Sequence, residues 1–421
     1  MTTTEKNIVV LGGSYGGISA AHSILKHTIP HLPNKETYQV VMISAASQAM
    51  CRPGCPRALI SDDLLDQSRF FVGIAQEFAQ YPKDRFRFIQ GTAVELDHQK
   101  RTVTYRSPAE DGCQTDTKIS FYTLVIATGS STPSPLFSFN KDEEALRASW
   151  ASFRKALPTA RTIVVAGGGP TGVEVAGELG EYLNGRAWFF STKLKNPNVS
   201  ITLVTAGTKV LPILRPSLAE KAEGLLARVG VTVIKNIRVK SVSPEGSGSE
   251  AAVLATKTTV TLENGQALEA DIYIPAFGVT FNTGFVAKEL LSKDGRIETN
   301  PATLRVDKAG PRIYAVGDVT SAARPAVHNI LAQIPVLSAN LKRDLLTDAG
   351  VVTGASVPKE DRVFKEDTKE TQLVPIGPSK GVGAFSGFAV PSFLVWLIKG
   401  RDYWLWTTGG LWSGKQWSKE G

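Results

Sequence analysis

Three sets of residues in this chain have the types and spacings that can do chemistry. The first set is glycine. VVLGGSYGG, residues 9–17, and VVAGGGPTGVEVAGEL, residues 164–179, each put a glycine cluster after an apolar run. Bare backbone N–H groups there, with the positive end of a following helix, can hold a pyrophosphate. In the second cluster Gly167, Gly169 and Gly172 complete the G-x-G-x-x-G spacing, with Thr171 inside it. In the first, Gly12 and Gly17 keep the outer spacing but Ser14 holds the middle place. Serine is small, its hydroxyl can donate to a phosphate oxygen, and Gly13 and Gly16 beside Tyr15 keep the loop bare. The second set is charged: Glu174 in TGVEVAGE, and Lys399 at the end of an apolar segment. The third set is thiol: Cys51 and Cys55, in C-x3-C spacing with Pro53 and Gly54 among the residues between.

These residues need a scaffold, and the surrounding pattern supplies one. IVVLG reads as a strand buried on both faces, and ISAAHSILKH after the first cluster reads as a helix. YQVVMIS, residues 38–44, is the next strand. TIVVA and VSITLVT play the same parts around the second cluster. A strand entering a helix through glycines, twice in one chain, predicts an α/β fold with two Rossmann-like dinucleotide-binding domains. A dinucleotide site of this kind usually ends its second strand in Asp or Glu, which bonds the adenosine ribose. Here Ser44 and Thr205 hold those places. Thr205 with Lys209 nearby permits a 2′-phosphate, so NADPH is expected to serve at least as well as NADH.

Length and composition narrow the class. A chain of 421 residues predicts two or three domains. The net charge of +8 comes from scattered residues with no basic run, which argues against nucleic acid as a partner. Three cysteines make no disulfide scaffold and suit a reducing, cytoplasmic setting. MTTTEKNIVVLG runs directly into a strand, so no secretory leader is expected, and Thr2 is not the glycine that myristoylation needs. His22, His27 and His31 lack a cysteine or acid to complete a set of ligands, so no metal is expected. ASVPKEDRVFKEDTKETQ, residues 355–372, is charged and poor in apolar residues, and predicts an exposed loop. Five of the seven tryptophans lie after residue 395, mixed with Lys399, Arg401 and Lys415. Such a tail suits either a membrane interface or packing against the rest of the fold.

GGSYGG, ATG at 127–129, GGGPTGVEVAGEL and AVGD at 315–318 occur in that order over about 310 residues. The set resembles the two-dinucleotide-binding-domain flavoproteins. CPRAL at 55–59, QGTAVELD at 90–97 and the tail SKGVGAFSGFAVPSFLVWLIKGRDYWLW at 379–406 resemble the apoptosis-inducing-factor-like branch. Within it the likeness is strongest to the ferroptosis-suppressor type of NAD(P)H:quinone reductase and its fungal relatives. The resemblance implies an FAD domain (1–138 and 274–350) interrupted by an NAD(P)H domain (139–273), with a C-terminal α+β segment (351–421). It implies FAD contacts from Arg57, the backbone at Ala93, the turn at Gly129, and Asp318 on the ribityl chain. It implies that Glu174 steers the reacting ring, and that Lys399 stabilises negative charge on a reduced flavin or a quinone oxygen. It implies a quinone-like acceptor, with peripheral contact at the cytosolic face of mitochondria or lipid droplets. In type II NADH dehydrogenases paired glutamines near this helix line the quinone pocket, and Asn329 and Gln333 occupy similar places.

Two other readings stay open. Cys51 and Cys55 stand near where disulfide reductases of this superfamily carry a redox pair, although those use C-x4-C and no activating base is evident here. That alternative is a disulfide reductase or a biosynthetic flavin oxidoreductase. The other is a binding protein whose NAD(P)H-dependent redox state controls a partner.

Overall fold

The apolar runs beside the two glycine clusters become the central strands of two parallel sheets. The computed structural model describes residues 5–108, 114–351 and 359–420. In the first sheet the strands lie in the order Ile313–Ala315, Thr123–Ile126, Lys6–Leu11, Tyr38–Ser44 and Phe86–Gln90, all parallel. In the second the order is Val231–Ile234, Ser200–Val204, Thr162–Ala166 and Ile272–Pro275, again all parallel. Each sheet carries a three-stranded antiparallel meander in its crossover, 92–120 in the first and 239–270 in the second. The expected α/β class with two Rossmann-like cores is therefore present. The second unit is inserted before the last strand of the first sheet.

Two short strands, Ser130–Ser131 and Thr280–Phe281, pair antiparallel where the chain crosses between the units. Asn282 fixes this crossing. Its Nδ2 donates to the Thr128 carbonyl at 2.8 Å, and its Oδ1 accepts from Ser131 at 2.8 Å. Ile272–Pro275 belongs to the second sheet, so the boundary expected after residue 273 falls inside a strand and moves beyond Pro275.

A third layer follows the long helix Val327–Asp348. It is a small antiparallel sheet, Gln372–Pro375, Gly381–Phe385 and Phe388–Ala389, and then the helical stretch 392–412. This layer packs on the helices Pro170–Asn184 and Pro216–Ala227 of the second unit, and its last helix packs on Tyr15–Ser23 of the first. It thus spans both units. The charged stretch 355–372 is a loop over 359–371, as its composition suggests, with many of its residues exposed, but it is tied to the rest of the fold. Residues 355–358 lie outside the described residues, but beyond them Asp361 pairs with Arg305 and Arg343, and Glu370 with Arg215. Phe364 between them is buried. Oppositely charged partners far away in sequence hold the segment down, and composition alone does not reveal them.

The tail's aromatic residues divide. Tyr403, Trp412 and Trp417 are buried. His22 on the first helix and His27 in the π-helical turn Ile24–Thr28 that continues it reach the tail, with Nε2 donating at 2.7 Å to the carbonyls of Trp412 and Trp417 respectively. Because His22 Nε2 faces a carbonyl, it carries the proton, and Nδ1 accepts from the Tyr81 hydroxyl at 2.9 Å. Burial lowers the His22 pKa to about 4, which keeps it neutral. Phe385, Phe388, Phe393, Trp396 and Trp406 remain exposed. No helix among the described residues is long and apolar enough to cross a membrane.

Candidate active site

The two glycine turns are built by the same steric rules. A Cβ at Gly12 would stand 2.3 Å from the Ala127 carbonyl oxygen, and one at Gly167 would stand 2.3 Å from that of Ala276. The backbone there has φ +107° and +128°, which favours glycine. A Cβ at Gly17 would strike the Gly12 carbonyl oxygen at 1.8 Å, and one at Gly172 the Gly167 oxygen at 1.9 Å. The last glycine of each motif thus lets the turn close on itself, rather than simply letting helix and strand approach. At the middle place, a Cβ on Gly169 would meet nothing within 4 Å, and Ser14 in the first turn is exposed. Neither residue caps its helix with a side-chain bond. The space is open on the outer side of both turns, so Ser14 fits without strain and the helix N–H groups stay available to an anion.

The first turn opens into a cavity of about 1120 Å³. Gly12, Gly13, Ser14, Tyr15 and Gly16 line one end, with Ala93 and its neighbours on the strand Thr92–Asp97, and with Gly129 and Asp318. Asp318 accepts from the Ser130 hydroxyl at 2.8 Å and lies 3.9 Å from the Arg52 guanidinium. A bare anion-binding turn and the Asp318 carboxylate in the wall of one large cavity fit FAD. The second turn meets this cavity only through its helix, by Thr171 and Glu174. Gly167, Gly169 and Gly172 lie outside the cavity wall, and of the three only Gly169 faces open space, on the side that suits a second dinucleotide.

Glu174 is the junction. It is buried, on the helix of the second turn, and in the wall of the cavity that the first turn opens. Lys399 Nζ donates to Glu174 Oε1 at 2.5 Å and to the Leu373 carbonyl at 3.1 Å. Burial raises the Glu174 pKa to about 7, and the ammonium works against that rise. Lys399 itself does not line the cavity. It was expected beside a flavin or quinone oxygen; its ammonium is instead paired with Glu174, outside the cavity wall.

Arg57 is also corrected. It does not face the cavity. One turn further along the same helix, Glu178 takes it in a two-pronged pair at 2.7 and 3.0 Å, and Tyr403 donates to the same carboxylate at 2.9 Å. Arg57 Nη1 donates to the Gly400 carbonyl at 2.7 Å. Of the two arginines in this segment, Arg52 is the one in the cavity wall, held by the Ser130 carbonyl at 2.8 Å. The CRPGCPR segment contains both arginines, and only the pairing partners tell them apart.

Thr205 lies almost buried under the second turn, as Ser44 lies under the first. A Cβ at Gly168 would come within 2.4 Å of the Thr205 hydroxyl, and one at Gly13 within 2.7 Å of the Ser44 hydroxyl. Residues 206–208 are the exposed part of that strand end. Lys209 is turned to the Leu214 carbonyl, not left free beside Thr205. Asn329 and Gln333 do not line the cavity. Gln333 accepts from the Gly317 N–H at 2.8 Å and so braces the turn that carries Asp318, while Asn329 donates to the Arg324 carbonyl at 3.1 Å just before its own helix.

Cys55 lines the cavity, and Cys51 lies behind it, taking a contact from the Tyr15 hydroxyl at 3.6 Å and donating to the Tyr403 carbonyl at 3.3 Å. Both are free thiols. Burial pushes Cys51 up to about 11 and Cys55 higher still, so neither is an activated thiolate. Cys113 lies outside the described residues.

Comparison with known proteins agrees with this geometry. The family model described as pyridine nucleotide-disulphide oxidoreductase matches residues 6–336. The oxidoreductase phnG of Penicillium herquei is 62% identical over 417 residues, covering 99% of this chain and 98% of that protein. Ferroptosis suppressor protein 1 of Homo sapiens is 25% identical over 403 residues, covering 94% and 93%. Among solved structures, NDH2 from Plasmodium falciparum in complex with RYL-552 has a similar fold, with TM-score 0.62, 14% identity and 94% of each chain covered.

Proposed function

The chain belongs to the pyridine nucleotide-disulphide oxidoreductase family, and from that premise we propose that it takes a hydride from NAD(P)H and delivers the electrons, by way of FAD, to a quinone-like acceptor. It is an oxidoreductase whose cofactors are FAD and NAD(P)H. The observation that carries the proposal is the position of Glu174, borne on the helix of one dinucleotide turn and facing the cavity of the other. Bound FAD supplies the hydride-accepting ring; the protein supplies orientation and field. The helix that starts at Pro170 and the open backbone at Gly169 bind the nicotinamide dinucleotide's phosphates. Thr171 and Glu174 border the junction where the two rings would meet. Asp318, held by Ser130, is the acceptor for a ribityl hydroxyl. Glu174 holds or releases a proton at its Oε atoms near neutral pH, and Lys399 sets how readily it does so. The buried residues Tyr15, Cys55 and Glu174 keep bulk water from that end of the cavity.

Support for a quinone comes from the tail's likeness to the ferroptosis-suppressor branch and from the two protonated thiols. The absence of a carboxylate at residues 205–208 supports use of NADPH at least as well as NADH. Peripheral attachment to a lipid surface from the cytosol extends the same reading, supported by the exposed Phe385, Phe388, Phe393 and Trp396. The test is steady-state oxidation of NADPH and NADH by the purified yellow protein with a panel of short-chain quinones, disulfides and persulfides. Turnover with quinones and none with the sulfur acceptors is expected. The thiol reading is favoured by one observation, Cys55 in the cavity wall, and a Cys51→Ser/Cys55→Ser variant decides it. Loss of nearly all activity with FAD retained would put the thiols first.

A further inference from the structure

The helix Pro170–Asn184 and the strand Ser200–Val204 are joined by a loop whose middle is RAWFFSTKLK, residues 186–195. The base of the loop is closed. Asn184 Nδ2 donates to the Val199 carbonyl at 3.0 Å, and its Oδ1 accepts from the Val199 N–H at 2.8 Å. Both limbs are pinned at the end of the helix Pro216–Ala227. The Ala187 N–H donates to the Arg228 carbonyl at 2.8 Å, and the Leu194 N–H to the Ala227 carbonyl at 2.9 Å. Arg228 Nη2 in turn donates to the carbonyls of Ala187 and Trp188, each at 3.2 Å. The backbone is thus held, yet the rings at its tip are left bare. Trp188, Phe189 and Phe190 are 77%, 77% and 86% exposed. Phe189 and Phe190 meet edge to face, with centroids 5.1 Å apart.

Exposure this high means that the rings stand clear of the surface. On a flat docking face, neighbouring side chains would cover much of each ring. Single exposed apolar residues are ordinary, but three aromatic residues in succession at the tip of a fixed loop are a contact surface. The charge around them says what it meets. Residues 182–219 contain no acid, and they include Arg186, Lys193, Lys195, Lys209 and Arg215. Arg186 is taken by Glu181 and Arg215 by Glu370. Lys193 and Lys195, just beyond Phe190, are exposed and have no ion-pair partner among the described residues. Protruding aromatic rings bordered by free ammonium groups match an anionic lipid surface. The rings enter the boundary between headgroups and acyl chains, and the lysines meet the phosphates and carboxylates.

We propose that the tip at 188–190 inserts into an anionic lipid surface and, with Lys193 and Lys195, tethers the protein there. This contact is distinct from the tail's exposed aromatic residues and does not rest on the reductase reading. The tip lies at the end of its helix opposite the glycine turn. Ten residues separate Glu174 from Asn184, about 15 Å of helix. Insertion there leaves the glycine turn uncovered, so the nicotinamide dinucleotide can exchange while the protein stays attached.

The test reads binding without turnover. The FAD-bound full-length protein is mixed with vesicles of phosphatidylcholine containing phosphatidylserine, or of phosphatidylcholine alone, and the bound fraction is read by flotation. Wild type is expected to bind the anionic vesicles at least about tenfold better than the neutral ones. A Trp188→Ser/Phe189→Ser/Phe190→Ser variant changes only exposed side chains. It should keep its thermal unfolding midpoint and its NAD(P)H-driven reduction of ferricyanide, and lose at least about tenfold in vesicle binding. Lys193→Gln/Lys195→Gln should weaken binding to the anionic vesicles by roughly tenfold. With lipids brominated in their acyl chains, Trp188→Phe should still bind but lose part of the tryptophan quenching that wild type shows. Unaltered quenching in Trp188→Phe, with the tip variant binding as wild type, would overturn the tether. If binding is then lost in a Phe385→Ser/Phe388→Ser/Phe393→Ser variant, the lipid contact belongs to the tail. A wild-type protein that binds neither kind of vesicle would also overturn the tether, whatever its turnover with quinones. A shift from dimer to monomer in the tip variant would in that case assign the rings to a second copy of the chain.

Discussion

The helices that follow the two glycine turns begin alike and then diverge. Two residues after the last glycine, the first helix has Ser19 and the second has Glu174; six residues after it, the first has Ser23 and the second Glu178. All four are buried. The first helix is covered by the long helix Val327–Asp348 and has small hydroxyls there. The second presents two carboxylates one turn apart, and each meets a cation from outside its own sheet. Lys399 comes from the C-terminal layer, and Arg57 from the first unit. The repeated unit is thus a binding scaffold, and the difference between its copies is where the three parts of the molecule are locked and where chemistry is placed.

Removing a cation from the second helix should therefore cost far more than altering the first. Arg57→Ala leaves Glu178 buried and unpaired, and is expected to lose about 3–5 kcal/mol in denaturant unfolding. Ser19→Ala removes a buried hydroxyl that has no partner among the described residues, and should change stability by less than about 1 kcal/mol. Equal losses would break the comparison.

The first helix has its own titratable anchor, His22. Its folded pKa of about 4 lies below the unfolded value of about 6.5, so the unfolded chain binds more protons between those values. The stability it contributes is full above pH 6.5 and is lost as pH falls toward 4, up to about 3 kcal/mol in all. Thermal unfolding across that window should show the slope, and His22→Gln should flatten it.

Much of this scaffold was legible in the sequence. Tyr38–Ser44 and Thr162–Ala166 are strands over the residues their apolar runs mark, and both glycine clusters are strand-to-helix turns. Such features are local, written in periodicity and in the absence of Cβ atoms. The pairings were not legible. Lys399 and Glu174 are 225 residues apart, and nothing in either segment names the other. Arg57 and Arg52 are alike in sequence, yet one is a lock and the other faces the cavity. Lysine and tryptophan in the tail were visible as a cluster, but its division into buried and exposed faces depends on His22 and His27, which look like idle histidines until the fold brings them there.

Smaller effects sharpen the comparison at the turns. Ala206→Glu puts a carboxylate at the exposed strand end and should shift kcat/KM toward NADH by roughly tenfold, about 1.4 kcal/mol. An unchanged NADPH to NADH ratio would show that this strand end does not read the 2′ position. Ser14→Gly restores the full motif in the first turn. It should change stability by only a few tenths of a kcal/mol, because Ser14 neither caps its helix nor crowds the turn, while FAD retention should fall by no more than the one hydroxyl-to-phosphate bond it removes, about 0.5–1.5 kcal/mol.

The claim at the centre is that Glu174 works at the junction with its proton affinity held down by Lys399. It is tested by the pH dependence of anaerobic flavin bleaching by NAD(P)H in a stopped-flow instrument. Wild type should show an inflection at about pH 7. Lys399→Met should move it upward, since burial then acts unopposed, and Glu174→Gln should abolish it. One inflection at the same pH in all three proteins would contradict the account.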